Sequence, residues 1–118
     1  MPQPDARKFL FDILQSCRLL TQFLAQKTLD DYLREPMLRS AVERQFEIIG
    51  EALNQALRVD PGLAMEITDV SRIIAFRNRL AHAYASVSDE VVWGIVEASL
   101  PRLSKEVADA LASTEDLA

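Results

Sequence analysis

Residues 36–62 read PMLRSAVERQFEIIGEALNQALRVDPG, and their spacing decides the architecture. Leu38, Val42, Gln45, Ile49, Leu53 and Ala56 recur at steps of three and four, with Phe46 and Leu57 widening the stripe. That period keeps them on one face of an α-helix, so the segment predicts a long amphipathic helix from Pro36 to near Arg58. Pro36 suits its first turn, where a missing N–H breaks no helical bond. Asp60-Pro61-Gly62 then turns the chain, because proline presets one backbone angle and glycine accepts conformations that other residues resist. The helices on either side are expected to fold back on one another. Gly50, inside the long helix, costs about 1 kcal/mol relative to alanine, which a close helix contact at that point would explain.

Upstream, Leu10, Ile13, Cys17, Leu20 and Leu24 form a second stripe at helical spacing, on a helix from about Asp5 to Gln26. Thr28, followed three residues later by Asp31, resembles a capping arrangement and predicts a short turn of helix through Leu33. Downstream, after a short segment around Leu63 to Ile67, Thr68 or Asp69 can cap a helix whose core stripe is Ile73, Phe76, Leu80 and Ala83. Ser88-Asp89-Glu90 starts the last helix with a cap and two acids at its positive end. Val92, Val96, Leu100, Leu103, Val107 and Leu111 are its inner stripe, bent at Pro101. The tail from Ser113 to Ala118 is expected to fray. No alternating strand pattern, repeat or linker interrupts this reading. The expectation is one all-α domain over residues 1–118, an antiparallel bundle of four to five helices.

Composition narrows the function. The chain has 118 residues, 49% hydrophobic and 26% charged, enough to fold around one core without staples. Cys17 is the only cysteine, which excludes an intrachain disulfide, and its place in an apolar stripe favours a buried structural thiol. No stretch approaches the roughly 20 apolar residues of a membrane span, and the N-terminus lacks a cleavage pattern, so a soluble cytoplasmic protein is expected. The net charge of −5 argues against a broad nucleic-acid surface. Yet Val70 to Ser88 contains no Asp or Glu while holding Arg72, Arg77, Arg79 and the only histidine, His82. Any phosphate site should be local and should lie there.

On a helical wheel with Phe76 at zero, Tyr84 and Arg77 fall at about 80° and 100°, and Asn78 and His82 at about 200° and 240°. These polar groups flank the core stripe, with the small Ala81 between them. Metal-free RNA cleavage needs a base for the 2′-hydroxyl, an acid for the leaving oxygen and cationic donors for the phosphate. His82 has the right intrinsic pKa range, Arg77 offers a planar fork, Asn78 can orient an oxygen or the imidazole, and Tyr84 supplies a hydroxyl. One histidine cannot be base and acid at once, but a two-fold dimer would bring two copies of His82 and Arg77 to one cleft. The plainer reading is that His82 caps a helix and that Arg79 and Arg72 are solvated or ion-paired, with only weak claims to RNA. Trp93 and Phe46 read as core or interface anchors. Glu43, Glu47 and Glu51, four apart, read as a solvated stripe and not a metal site, since no further His or Asp cluster completes a shell.

Arg77-Asn78-Arg79-Leu80-Ala81-His82-Ala83-Tyr84 resembles the signature of HEPN domains in the extended form of the HepT branch, with Ala83 where relatives often carry glycine or an acid. Glu35-Pro36-Met37-Leu38, Phe46 to Ala52, Val92-Trp93 and Leu100-Pro101 match that branch in the same order. The resemblance implies a dimeric, metal-independent endoribonuclease toxin with no cofactor. In it Arg77 and His82 match the catalytic pair and Asn78 the polar neighbour. Tyr84 matches the tyrosine that a partner nucleotidyltransferase antitoxin of the MntA type modifies with AMP, within a homodimer or a larger complex. The alternatives are a non-catalytic helical dimer that binds nucleotide or substrate for a nucleotidyltransferase, and a purely structural dimer.

Overall fold

The computed structural model describes residues 4–82 and 88–117, and among these every regular element is helical. Helix α1 (Pro4–Leu24) and helix α3 (Pro36–Val59) form the spine. The two stripes read from the sequence face each other: Leu10, Ile13, Cys17 and Leu20 of α1, and Val42, Ile49, Leu53 and Ala56 of α3, are at most 1% exposed. Each large aliphatic side chain buried in this way contributes about 1.5–3 kcal/mol. Cys17 sits in that core, and burial pushes its thiol up to about 12.

Gln26, just past the end of α1, turns the chain in a left-handed conformation (φ 64°). Thr28 and Asp31 form a reciprocal capping box, with bonds of 3.2 and 3.0 Å, that starts α2 (Leu29–Arg34). Tyr32 of α2 is buried and packs its ring 5.8 Å from that of Trp93, which joins α2 to the helix Asp89–Ala98. Phe46 is buried as well, so both Phe46 and Trp93 are packing residues. After α3, the Asp60 carboxylate accepts from the Gly62 N–H at 3.2 Å and opens a 3-10 turn, Pro61–Met65, that buries Leu63.

Helix α4 (Val70–Ala81) lies back along α3, its main support among the described residues. Phe76 meets Phe46 edge-on at 5.3 Å. The expected stripe of α4 is only half covered: Ile73, Phe76 and Leu80 pack against the core, but no residue of this helix is fully buried. Its start also departs from expectation. Asp69 stands at the cap position without a side-chain cap bond, because its carboxylate pairs with Arg102, and with Arg72 at 3.9 Å. Thr68 turns its hydroxyl to Glu106, 2.5 Å away. A charged partner on the helix Leu100–Leu117 outcompetes α4's own N–H groups.

The expected bent last helix is two helices. Ser88 caps α5 (Asp89–Ala98) by accepting from Val91 N–H, and α5 closes at Ser99, whose N–H donates to Ile95. Helix α6 (Leu100–Leu117) restarts with Pro101 in its first turn. Proline lacks an N–H and crowds the carbonyl four residues back, so the ladder breaks where a first turn can accept it. Leu100, Leu103 and Val107 still reach the core, and the tail expected to fray continues as helix to Leu117. Among the described residues no helix is long and apolar enough to cross a membrane.

Candidate functional site

Arg77 is placed by a missing side chain. Helix α4 crosses α3 so closely at Gly50 that a Cβ built there would lie 2.1 Å from Arg77 Cβ and 2.6 Å from Arg77 Cγ. Glycine is required at this level, which gives the residue the close contact that its position in mid-helix suggested. The Arg77 stem therefore lies against the α3 backbone and its guanidinium emerges beside Glu51, Nη2 to Oε2 at 3.0 Å. Gln55, one turn further along α3, donates to the other carboxylate oxygen at 3.0 Å. From its other side Arg77 Nη1 donates to the Asn78 amide oxygen at 2.9 Å. The side chain remains 33% exposed, enough for its outer donors to meet a ligand.

Asn78 thus has a defined partner, and it is the arginine. His82 lies outside the helix proper: α4 ends at Ala81, and His82 is its exposed C-cap with extended backbone (φ −94°, ψ 108°). A wheel angle for His82 does not apply, since helical rotation stops one residue earlier. Tyr84, and Ala83 of the expected stripe, lie outside the described residues.

Two concavities flank α4 and separate the arginines. Arg77 lines a cleft of about 280 Å³ shared with Phe9 and Asp12 of α1 and with Arg44, Glu47, Glu51 and Gln55 of α3. Arg72 and Arg79 line a larger groove of about 560 Å³ with Phe46, Ile73, Phe76, Val91 and Ile95, which is mainly apolar. Arg72 also faces Asp69, so the structure does not bring Arg72 and Arg79 to the side where Arg77 works. The three acids of α3 do not behave as one solvated stripe. Glu47 pairs with Arg44 at 3.7 Å and Glu51 with Arg77. Burial, reinforced by Asp89 and Glu47 against the opposing charge of Arg39, raises the half-buried Glu43 carboxyl above its usual range. Glu51 is the site residue that the sequence reading missed, and its one signal there was the neighbouring glycine. No group of three or more His, Cys, Asp or Glu able to hold a metal ion occurs among the described residues.

Chemically, the arrangement is a braced guanidinium and an exposed imidazole five residues apart at the end of one helix. A family model described as ribonuclease HepT-like matches residues 13–110 of the chain. A Methanocaldococcus jannaschii protein named "Putative RNase" is 30% identical over 115 residues, covering 98% of this chain and 94% of the relative. Another protein from that organism, also named "Putative RNase", is 31% identical over 107 residues, with 91% and 97% covered. A Thermococcus cleftensis protein named "Probable ribonuclease HepT" is 31% identical over 101 residues, with 82% and 87% covered. No solved structure matches the chain.

Proposed function

The chain belongs to the HepT-like ribonuclease family, and from that premise we propose that it is a metal-independent endoribonuclease acting as the toxin of a toxin–antitoxin pair. The observation that carries the reading is the exposed His82 at the end of the helix that presents Arg77.

In this reading two copies of the chain pair about a two-fold axis, so that both His82 imidazoles and both Arg77 guanidinia face one RNA phosphodiester. One imidazole accepts the 2′-hydroxyl proton as the 2′-oxygen attacks phosphorus. The other, protonated, gives its proton to the departing 5′-oxygen. A 2′,3′-cyclic phosphate and a 5′-hydroxyl result, and the two imidazoles have exchanged protonation states. The arginines stabilise the charge that builds on the non-bridging oxygens, a role suited to their planar fork. The chain's net charge of −5 argues against a broad RNA surface, so attraction falls to the arginines of the acid-free segment Val70 to Ser88.

Regulation in the same reading falls on Tyr84, two residues beyond His82, as the acceptor of AMP from a MntA-type nucleotidyltransferase antitoxin in the cytoplasm. An attached nucleotide brings bulk and negative charge to a phosphate site, so blockage follows without a change of fold. The test is RNA cleavage by purified wild type and His82→Ala, with the oligomeric state measured by light scattering. His82→Ala is expected to remain a folded dimer and lose cleavage by on the order of 10²-fold or more. Cleavage retained in that variant would overturn the catalytic assignment, and a fully active monomer would overturn the shared cleft. Intact mass after coexpression with the nucleotidyltransferase tests Tyr84, with an AMP increment expected and its loss in Tyr84→Phe.

A further inference from the structure

Arginine side chains in solution sample many rotamers, and a guanidinium that must meet a developing charge gains from being held before the substrate arrives. Arg77 is held on three sides. The α3 backbone at Gly50 lies under its Cβ and Cγ. Glu51 takes Nη2 at 3.0 Å, and Asn78 takes Nη1 at 2.9 Å. The carboxylate that does the holding is itself anchored, since its second oxygen accepts from Gln55 Nε2 at 3.0 Å. A guanidinium has five N–H donors, and these two bonds occupy two of them, which leaves others for a phosphate. Glu51 lines the cleft half-exposed and carries a charge that repels RNA, so it has no use as an RNA-binding group.

We propose that Glu51 is the positioning residue of the cleavage site: anchored by Gln55, it sets the plane of the Arg77 guanidinium and leaves its outer donors aimed at the scissile phosphate. The proposal rests on the ribonuclease reading above. It makes a prediction that a merely structural residue does not. Removing Glu51 removes negative charge beside the phosphate, so KM for RNA stays level or falls, while kcat falls because the guanidinium is no longer oriented.

The experiment compares wild type, Glu51→Ala and Glu51→Gln in steady-state cleavage of a fluorescent RNA, with thermal melts alongside. Glu51→Ala is expected to lower kcat at least about tenfold without raising KM. Glu51→Gln, which keeps an oxygen for Arg77 and can donate its amide N–H to Gln55 once the Gln55 amide turns over, is expected to recover part of the loss and serves as the folded variant if alanine destabilises the chain. A kcat equal to wild type in both variants would overturn the proposal. So would a higher kcat, which would make the ion pair a brake. A second readout does not need activity: the Arg77 guanidinium resonances, assigned through Arg77→Lys, should show slow rotation in wild type and fast rotation in Glu51→Ala. Unchanged rotation there also overturns the proposal. If wild type cleaves no RNA, the ribonuclease reading fails on its own, and the resonances alone decide whether Glu51 positions Arg77.

Discussion

Replacing Gly50 with alanine adds one methyl group where the structure has no room for it. The new carbon would lie 2.1 Å from Arg77 Cβ, whereas non-bonded carbons settle at about 3.5–4.0 Å. The helices must therefore part by roughly 1.5 Å at this level. No rotamer of Arg77 relieves the clash, because the neighbouring atom is fixed to the α4 backbone. Movement of α4 as a body is the open route, since it buries no residue fully and packs chiefly on α3. Overpacking of this kind costs about 1–3 kcal/mol, and alanine returns about 1 kcal/mol of helix propensity. The net loss is thus about 0–2 kcal/mol, which at roughly 4 °C per kcal/mol for a domain of this size lowers Tm by less than about 8 °C. Cleavage should suffer more than stability, because displacing a positioned group by about 1 Å can cost on the order of 10²-fold in rate. Melting curves and RNA-cleavage rates on one preparation test the argument. A folded Gly50→Ala protein with both Tm and cleavage at wild-type levels would refute it.

Other expectations follow from the core. Because burial pushes the Cys17 thiol up to about 12, a thiol reagent at mildly alkaline pH should label the protein only as fast as it unfolds, and rapid labelling of the native state would contradict the burial. Glu43 has a folded pKa above its ordinary 4.5, with burial the largest cause. Its ionised form therefore weakens the fold above the raised value, and the penalty vanishes below 4.5. Glu43→Gln should accordingly raise Tm at neutral pH and leave it unchanged in acid, and a loss of Tm at neutral pH would reverse that reasoning. The buried Tyr32 hydroxyl finds no hydrogen-bond partner among the described residues, so Tyr32→Phe should leave stability within about 1 kcal/mol of wild type or improve it. A loss of more than about 2 kcal/mol in urea melts would show that the hydroxyl is satisfied.

Periodicity alone determined the helices: residues three and four apart along α1, α3 and α6 had to share a face, and those faces are the ones buried. Local chemistry likewise announced the Thr28 capping box, the Asp60 turn and the Ser88 cap, because each bond spans only two or three residues. Where a local rule met a distant charge, the sequence could not decide. Asp69 looks like a cap until Arg102, on another helix, takes its carboxylate. Pro101 announces a disturbance, but whether the helix bends or ends depends on how α5 and α6 each reach the core.

The site divides in the same way. Arg77, Asn78 and His82 were legible as chemistry because their residue types and spacing lie within one short segment. That Arg77 is braced by Glu51 and Gln55, while Arg72 and Arg79 turn to another groove, is a fact about two helices crossing at Gly50. Arg77 stands 22 positions from Gln55, 26 from Glu51 and 27 from Gly50 in the chain. Spacing along a sequence specifies which residues share a helix face, but only the packing of one helix on another selects which faces touch.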